Sequence, residues 1–286
     1  MAISAQSVKE LREKTGAGIM DCKKALAEMN GDLDKAIKHL REKGLAEAKK
    51  RSGREAKEGI ITVLYSEDRN TVCMVEVNCE TDFVSRTDEY KDFVQSIARS
   101  VLDRGVTDAQ DLPEEINTRV KEAIASFGEN ILVRKVARFT KSAGEKSVFQ
   151  SYIHLNGRVG VIVEFLLEND SQKENEHFGE AAKNIALQIA SMGPLAVSKD
   201  DFPHDVLEEQ KNIFEKQAKE SGKPENILEK IVNGKIQKFL SEFTIEGQKY
   251  VKNSDITVKK YLEEAGQKAQ GKIEIKRFAR FKLGEE

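Results

Sequence analysis

From residue 4 to residue 43 apolar side chains return every three or four positions, which is helical spacing. Val8 and Leu11 belong to a first helix. Ile19, Cys22, Leu26 and Met29 share one face of a second, and Leu33, Ile37 and Leu40, joined by the Ala36 methyl, share one face of a third. The breaks fall at "TGAG" (Thr15–Gly18) and "NGD" (Asn30–Asp32). Gly31 suits a left-handed C′ position there, and Asp32 suits the cap of the next helix. This predicts a compact three-helix module of about 45 residues, a size that is marginal alone. The segment "GLAEAKKRSGREAKEG" (Gly44–Gly59) is charged and poor in large apolar residues, and reads as a solvated helix or linker.

The period then drops to two. "GIITVLY" (Gly59–Tyr65) and "TVCMVEVNC" (Thr71–Cys79), separated by "SEDRN", predict an antiparallel hairpin. After the polar stretch 80–86, Thr87 caps a helix that buries Tyr90, Val94, Ile97 and Val101. Another helix spans Pro113 to Phe127, with the proline in its first turn, and "NILVRKVARF" (Asn130–Phe139) is a third strand. A second unit of the same kind opens near Gly144. "SVFQSYIHL" and "RVGVIVEFLL" flank Asn156-Gly157, a type I′ hairpin signal because both central residues need positive φ. A helix follows with Phe178, Ala182, Ile185, Ile189 and Met192 in line, ended by Gly193-Pro194. Two long helices joined by "SGKP" (Ser221–Pro224) form an αα-hairpin, with Gly222 at C′, Pro224 at N1, and apolar positions at Leu207, Phe214, Ile227 and Ile231. The chain closes with a helix near Val258–Glu264 and the strand "KIEIKRFARFKL". In that strand Ile273, Ile275, Ala279, Phe281 and Leu283 share a face that Arg277 interrupts.

Composition narrows the class. A length of 286 residues suggests about two domains, and 39% hydrophobic residues support real cores. A formal net charge of −2 offers no global attraction to nucleic acid or an anionic membrane. The first twenty residues lack an apolar core and carry Glu10 and Glu13, which argues against a leader. No apolar run approaches the ~18 residues needed to cross a bilayer. The three cysteines form no framework, and Cys73 and Cys79, six apart on one strand, lie roughly 20 Å apart, too far to share a metal. The expectation is a reduced, cytoplasmic protein.

Chemistry is sparse. No phosphate-cradling G-x-x-x-x-G-K-[ST] occurs. His39, His154, His177 and His204 are scattered without H-E-x-x-H, and no Ser or Cys carries a nucleophile signature. The sequence therefore predicts no catalytic residue, metal or cofactor, and a binding role. Four features stand out, each against a plainer reading. "KKRSGR" (Lys49–Arg54) offers cations to RNA, but Glu47, Glu55 and Glu58 sit nearby. His154 could touch a partner or be an ordinary strand histidine. The 200–235 hairpin could be an interaction arm or pack on its own domain. Phe83 and Val84, set in "NCETDFVSRTDEY" (Asn78–Tyr90), could wait for a partner or pin the loop to its own core.

"LREKTGAGIMDCKKALAEMNGDLDKAIKHLREKG" (Leu11–Gly44) resembles, nearly position by position, the UBA-like module of the bacterial elongation factor Ts family. "EVNCETDFVSR" is similar to that family's signature, centred on Thr81-Asp82-Phe83-Val84. "GENI" (Gly128–Ile131), "SYIHLNGRVGVIVE" (Ser151–Glu164) and "SGKPENILEKIVNGK" (Ser221–Lys235) follow in the family's order, so the resemblance covers essentially the whole chain. It implies an α+β fold: a three-helix UBA-like module with its linker helix (1–54), a core subdomain with the Thr81–Val84 loop (55–140), and a second antiparallel α+β subdomain (141–286). A helical hairpin is inserted in the last, over about 198–235.

The family acts as the guanine-nucleotide exchange factor of elongation factor Tu, binding it GDP-bound and nucleotide-free and having no chemical active site of its own. By resemblance, Leu11, Arg12, Thr15, Gly16, Ala17, Gly18 and Met20 of the module touch the nucleotide-binding domain of Tu. Thr81, Asp82, Phe83 and Val84 enter beside its Mg²⁺ and phosphate site. The hairpin of His154, Asn156, Gly157 and Arg158 lies against another domain. The inserted helices match a coiled coil used for homodimerisation in some members; no nucleic acid and no membrane are expected. Longer members continue into a further helical module, and since this chain stops at "RFKLGEE", that contact is expected to be missing. Deletion of residues 1–54 is expected to weaken association more than it alters the remaining fold. Two rival readings are an RNA-binding accessory protein using Lys49, Lys50, Arg51 and Arg54, and a ubiquitin-fold receptor built on the first module.

Overall fold

A computed structural model describes residues 3–220 and 224–285. The chain divides into two compact units. Among the described residues, the first holds those up to Arg138, together with Leu155–Val159 and 281–285; the second holds Phe139–His154 and those of 160–280.

The first unit opens with α1 (Ala5–Thr15), α2 (Ile19–Glu28) and α3 (Leu33–Arg51). Leu11, Cys22, Ala25, Leu26, Ala36 and Leu40 form their shared core. Ile19, expected on the inner stripe, is 54% exposed instead. At the end of α2, Gly31 (φ 84) is left-handed as expected but stands at C″, and Asn30 (φ 54), also left-handed, takes the C′ place. The Asn30 N–H bonds the Ala27 carbonyl and the Gly31 N–H the Leu26 carbonyl, the two bonds of a Schellman cap. Asp32 caps α3 as expected, accepting the Lys35 N–H.

Of the segment read as a solvated helix or linker, the first half is helix: α3 continues unbroken to Arg51. Its inner face packs on α6 (Glu114–Phe127): a Cβ on Gly44 would stand 2.7 Å from the Ala125 methyl, and Arg41 pairs with Glu122 at 2.6 Å. Ala48 joins the core beneath the sheet. Removal of residues 1–54 would therefore open that core as well as remove a surface.

A three-stranded sheet follows in the order β1 (Glu58–Tyr65), β2 (Thr71–Cys79), β3 (Leu132–Thr140). The register of the first pair runs from Glu58 opposite Cys79 to Tyr65 opposite Val72. The turn α4 (Asp82–Ser85) and helix α5 (Asp88–Arg104) lie between β2 and α6. Tyr90, Val94, Ile97 and Val101 of α5 are buried, as the spacing predicts. Pro113 stands one position before α6, with extended ψ, rather than inside its first turn.

The second unit repeats the design with β4 (Ser147–His154), β5 (Val159–Leu167) and β8 (Ile273–Lys282) in that order. Helices α7 (Glu176–Met192) and α10 (Val258–Lys268) occupy the places of α5 and α6. Between them stand α8 (His204–Glu220), α9 (Glu225–Phe243) and a two-stranded sheet of β6 (Lys249–Tyr250) and β7 (Asn253–Thr257), which the sequence reading passed over. The turn with Gly222 lies outside the described residues, and Pro224 again precedes its helix by one position. The base of the α8–α9 hairpin packs around Ala196, Phe202 and Leu240, while Ile213 and Ile227 farther out are exposed. Met192, at the end of α7, is half exposed rather than core.

Each sheet buries a glutamate on its central strand. Glu76 lies 3.9 Å from Arg134 of β3 and accepts the Gly284 N–H. Glu164 accepts from Arg277 Nε at 2.6 Å, with Lys276 at 3.5 Å. That pairing accounts for the arginine that interrupts the apolar face of the last strand; its guanidinium also lies 4.4 Å from the Phe139 ring.

Candidate functional site

Of the four residues singled out in the sequence, Asp82, Phe83 and Val84 lie on α4 and Thr81 stands at its N-cap. The stretch read as a loop is a single helical turn, and Phe83 on it is 82% exposed. Val84, the next residue, packs against the core of the first unit. Asp82 pairs with Arg86 at 2.6 Å, one turn on. Ser85 is buried and donates to the Asp82 carbonyl. At the far side, Thr87 caps α5 by accepting the Tyr90 N–H.

The near side is held differently. Thr81 sits at the N-cap position with extended backbone, yet its hydroxyl makes no capping bond. It donates instead to Glu129 Oε1 at 2.5 Å. Glu129 Oε2 accepts the backbone N–H groups of Glu80 and Thr81, each at 3.0 Å. In return, Glu80 Oε1 accepts the Asn130 N–H at 2.6 Å, and Asn130 Nδ2 donates to the Arg54 carbonyl at 2.7 Å. The end of the helical module, the α4 turn and the entry to β3 thus meet in one network. Sequence reasoning gave Glu129 no role; its signal was the acidic residue between a helix-ending glycine and a strand, inside "GENI".

Beneath the turn, burial pushes the Cys79 thiol up to about 11, and its Sγ donates to the Thr81 carbonyl at 3.2 Å. Burial raises the Tyr90 phenol well above its ordinary range, and its hydroxyl donates to the Val77 carbonyl. Both groups are neutral at physiological pH and support the turn from inside.

The module's seven residues divide. Arg12, Gly16, Gly18 and Met20 are exposed, Met20 at 73%. Ile19 and Arg12 line a cleft of about 380 Å³ with Val8, Lys9 and Lys23. Leu11 is fully enclosed in the module core. Thr15 donates to the Leu11 carbonyl, and Ala17 packs on the core. Gly16 (φ 65) ends α1, and its carbonyl accepts from Ser126 on α6. Leu11, Thr15 and Ala17 build the module more than they face outward, while Gly16 does both.

The β4–β5 turn is wider than the expected two residues. Leu155, Asn156 and Gly157 all have positive φ, at 48, 55 and 92°. His154 is exposed, its ring stacked on Tyr152 and its Nδ1 2.9 Å from the Tyr152 hydroxyl. Leu155 is 64% exposed in a conformation that is uncommon without glycine or asparagine. Gly157 is buried, its carbonyl accepting the Ile61 N–H, and Arg158 pairs with Glu58 at 2.8 Å. Among the described residues, no cluster of His, Cys, Asp and Glu has the geometry to hold a metal, and no helix is long and apolar enough to cross a membrane.

Fold and surface define a protein of α+β class that presents apolar side chains on braced turns. Comparison supplies the family. Residues 80–285 match the family model for Elongation factor TS. The chain is 44% identical over 292 residues to Elongation factor Ts of Clostridium novyi (strain NT), covering 99% of this chain and 93% of the relative. It is 42% identical over 295 residues to Elongation factor Ts of Halothermothrix orenii, covering 100% and 93%. The chain belongs to the elongation factor Ts family, and its role is in translation elongation.

Proposed function

We propose that this protein binds elongation factor Tu·GDP and speeds GDP release by displacing the elements that hold Mg²⁺ and phosphate, so that GTP can reload. The observation that carries the reading is Phe83, a large apolar side chain left 82% exposed on a turn braced from both ends. A bound nucleotide is held by backbone N–H groups at a helix start and by Mg²⁺. A factor that promotes its release must bind the nucleotide-free form better, and each ligand then weakens the other by the same factor. A phenyl ring that finds its pocket only in the displaced arrangement supplies that difference, and Asp82 brings a carboxylate to a region that favours phosphate. Burial of one Phe is worth roughly 1.5–3 kcal/mol, which limits the ring to about two decades of rate at ~1.36 kcal/mol each.

Further footholds are therefore part of the proposal. The exposed Arg12, Gly18 and Met20 of the module would touch the nucleotide-binding domain, and His154 and Asn156 at the β4–β5 turn would meet another domain. The chain would perform no covalent chemistry and would work in the cytoplasm without contacting nucleic acid. The exposed Ile213 and Ile227 of the α8–α9 hairpin fit a second copy of the chain. The test is release of fluorescent GDP from elongation factor Tu with this protein and with its Asp82→Ala/Phe83→Ala variant. Fast release that the variant loses supports function and site together; no acceleration by the unaltered protein rejects the proposal.

A further inference from the structure

We infer that Glu129 is a positioning residue for exchange: its carboxylate fixes the pose in which the α4 turn presents Phe83. The inference rests on the reading of Phe83 given above. The turn is only four residues long, too short to hold itself by its own hydrogen bonds. Its N-cap threonine, the residue type that ordinarily stabilises such an end, is diverted. The Thr81 hydroxyl is spent as a donor to Glu129, whose other oxygen takes the N–H groups of Glu80 and Thr81. One carboxylate thus collects three donors from two consecutive residues, at the start of the turn that carries the exposed ring. A charged acceptor makes these bonds stronger than neutral ones.

The arrangement is reciprocal, since Glu80 returns a carboxylate to the Asn130 N–H. Residues 80–81 and 129–130 are thereby locked in both directions, although 48 or more positions apart in the chain. Val84 anchors the far end of the turn in the core. Without Glu129 the near end loses its anchor, and Phe83 would enter a partner from a spread of poses, paying at binding the ordering cost the clamp removes in advance. Glu129 itself is half-buried at the entry to β3 and does not need to touch the partner.

The test compares Glu129→Ala, Glu129→Gln and Thr81→Val by amide hydrogen exchange at residues 80–86 and by GDP release from elongation factor Tu, with thermal midpoints as a check on folding. Glu129→Ala is expected to lose protection at Glu80 and Thr81 and to release GDP about tenfold more slowly at limiting concentration, the step expected for one missing anchor. Glu129→Gln is expected to rescue both, because its carboxamide oxygen can take the two N–H groups while its NH₂ meets the Thr81 oxygen. Thr81→Val, which loses one donor, should fall between. Protection that survives in Glu129→Ala overturns the inference, and so does protection lost with release unchanged. Failure of the underlying reading shows separately, as a Phe83→Ala protein that releases GDP at the unaltered rate.

Discussion

Phe83 and Val84 are adjacent in the chain, yet Phe83 is exposed and Val84 packs against the core. Successive side chains on a helical turn point about 100° apart, so seating Val84 in the core leaves Phe83 outside. The two positions should then separate stability from activity. Phe83→Ala is expected to shift unfolding by less than about 0.5 kcal/mol, as an exposed site does, while slowing GDP release by up to about two decades. Val84→Ala is expected to cost about 1–2 kcal/mol of stability. Urea midpoints of the two variants decide the matter; equal losses would contradict the orientation.

Met20, 73% exposed beside the basic cleft of the module, is the point change that replaces deletion of residues 1–54, because Ala48 on the same segment is core. Met20→Asp is expected to weaken association with elongation factor Tu roughly tenfold, the loss of one apolar contact at an interface, with the circular dichroism spectrum unaltered. Titration calorimetry reads it directly. An unchanged affinity would remove the module's outer face from the interface.

Gly157 carries both a positive φ of 92° and a crowded Cβ direction, 2.9 Å from Ile60 and 3.2 Å from the Ile61 carbonyl. Gly157→Ala is expected to destabilise by about 1–3 kcal/mol through strain and displaced packing. It should also loosen His154 and Asn156 at the same turn. Hydrogen exchange of the Ile61 amide, which bonds the Gly157 carbonyl, is the local readout.

Much of this was legible in the sequence because it is local. The three-or-four-residue and two-residue spacings marked the helices and strands, and Thr87 and Asp32 cap the helices they were expected to cap. What escaped depends on residues distant in the chain. Glu129 meets Thr81 across 48 positions, and no local pattern marks a carboxylate as a clamp. Arg277 looked like an error in an apolar face until Glu164, 113 residues earlier, supplied its partner. Ile19 and Met192 fitted helical stripes, but each stands where its helix ends, beyond the reach of the core. The wider β4–β5 turn went unseen because Leu155 is not a residue type that favours positive φ.

The Glu164–Arg277 pair gives an asymmetric prediction. Glu164 is fully buried while Arg277 keeps 40% of its side chain exposed. Arg277→Ala should cost about 3 kcal/mol, since it leaves a buried carboxylate short of its partner. Glu164→Leu combined with Arg277→Leu should recover most of that loss. Thermal unfolding of the single and double variants reads the difference.

Buried acids of the first core should make stability fall at high pH. Burial holds the thiols of Cys73 and Cys79 up to about 11, against about 8.5 for an unfolded chain. Between those values the unfolded state has released protons that the folded state retains. The stabilisation is therefore complete below the unfolded value and is lost as pH rises through the folded one. Tyr90 acts in the same direction at higher pH. Urea midpoints at pH of about 10.5 should lie below those at about 8, and a Cys73→Ala/Cys79→Ala protein should show a shallower decline.

Both units run hairpin, helix, helix, strand, and they differ at one joint. In the first, Thr107–Asp111 is a mostly exposed link between α5 and α6, and a Cβ on the preceding Gly105 would meet nothing within 4 Å. In the second, the same joint carries α8, α9 and a small sheet. The architecture has thus already accepted a large graft at that seam without disturbing the strands on either side. The seam in the first unit is accordingly the place to splice a reporter domain, putting a label on the same compact body as the Phe83 turn while leaving both sheets as they are.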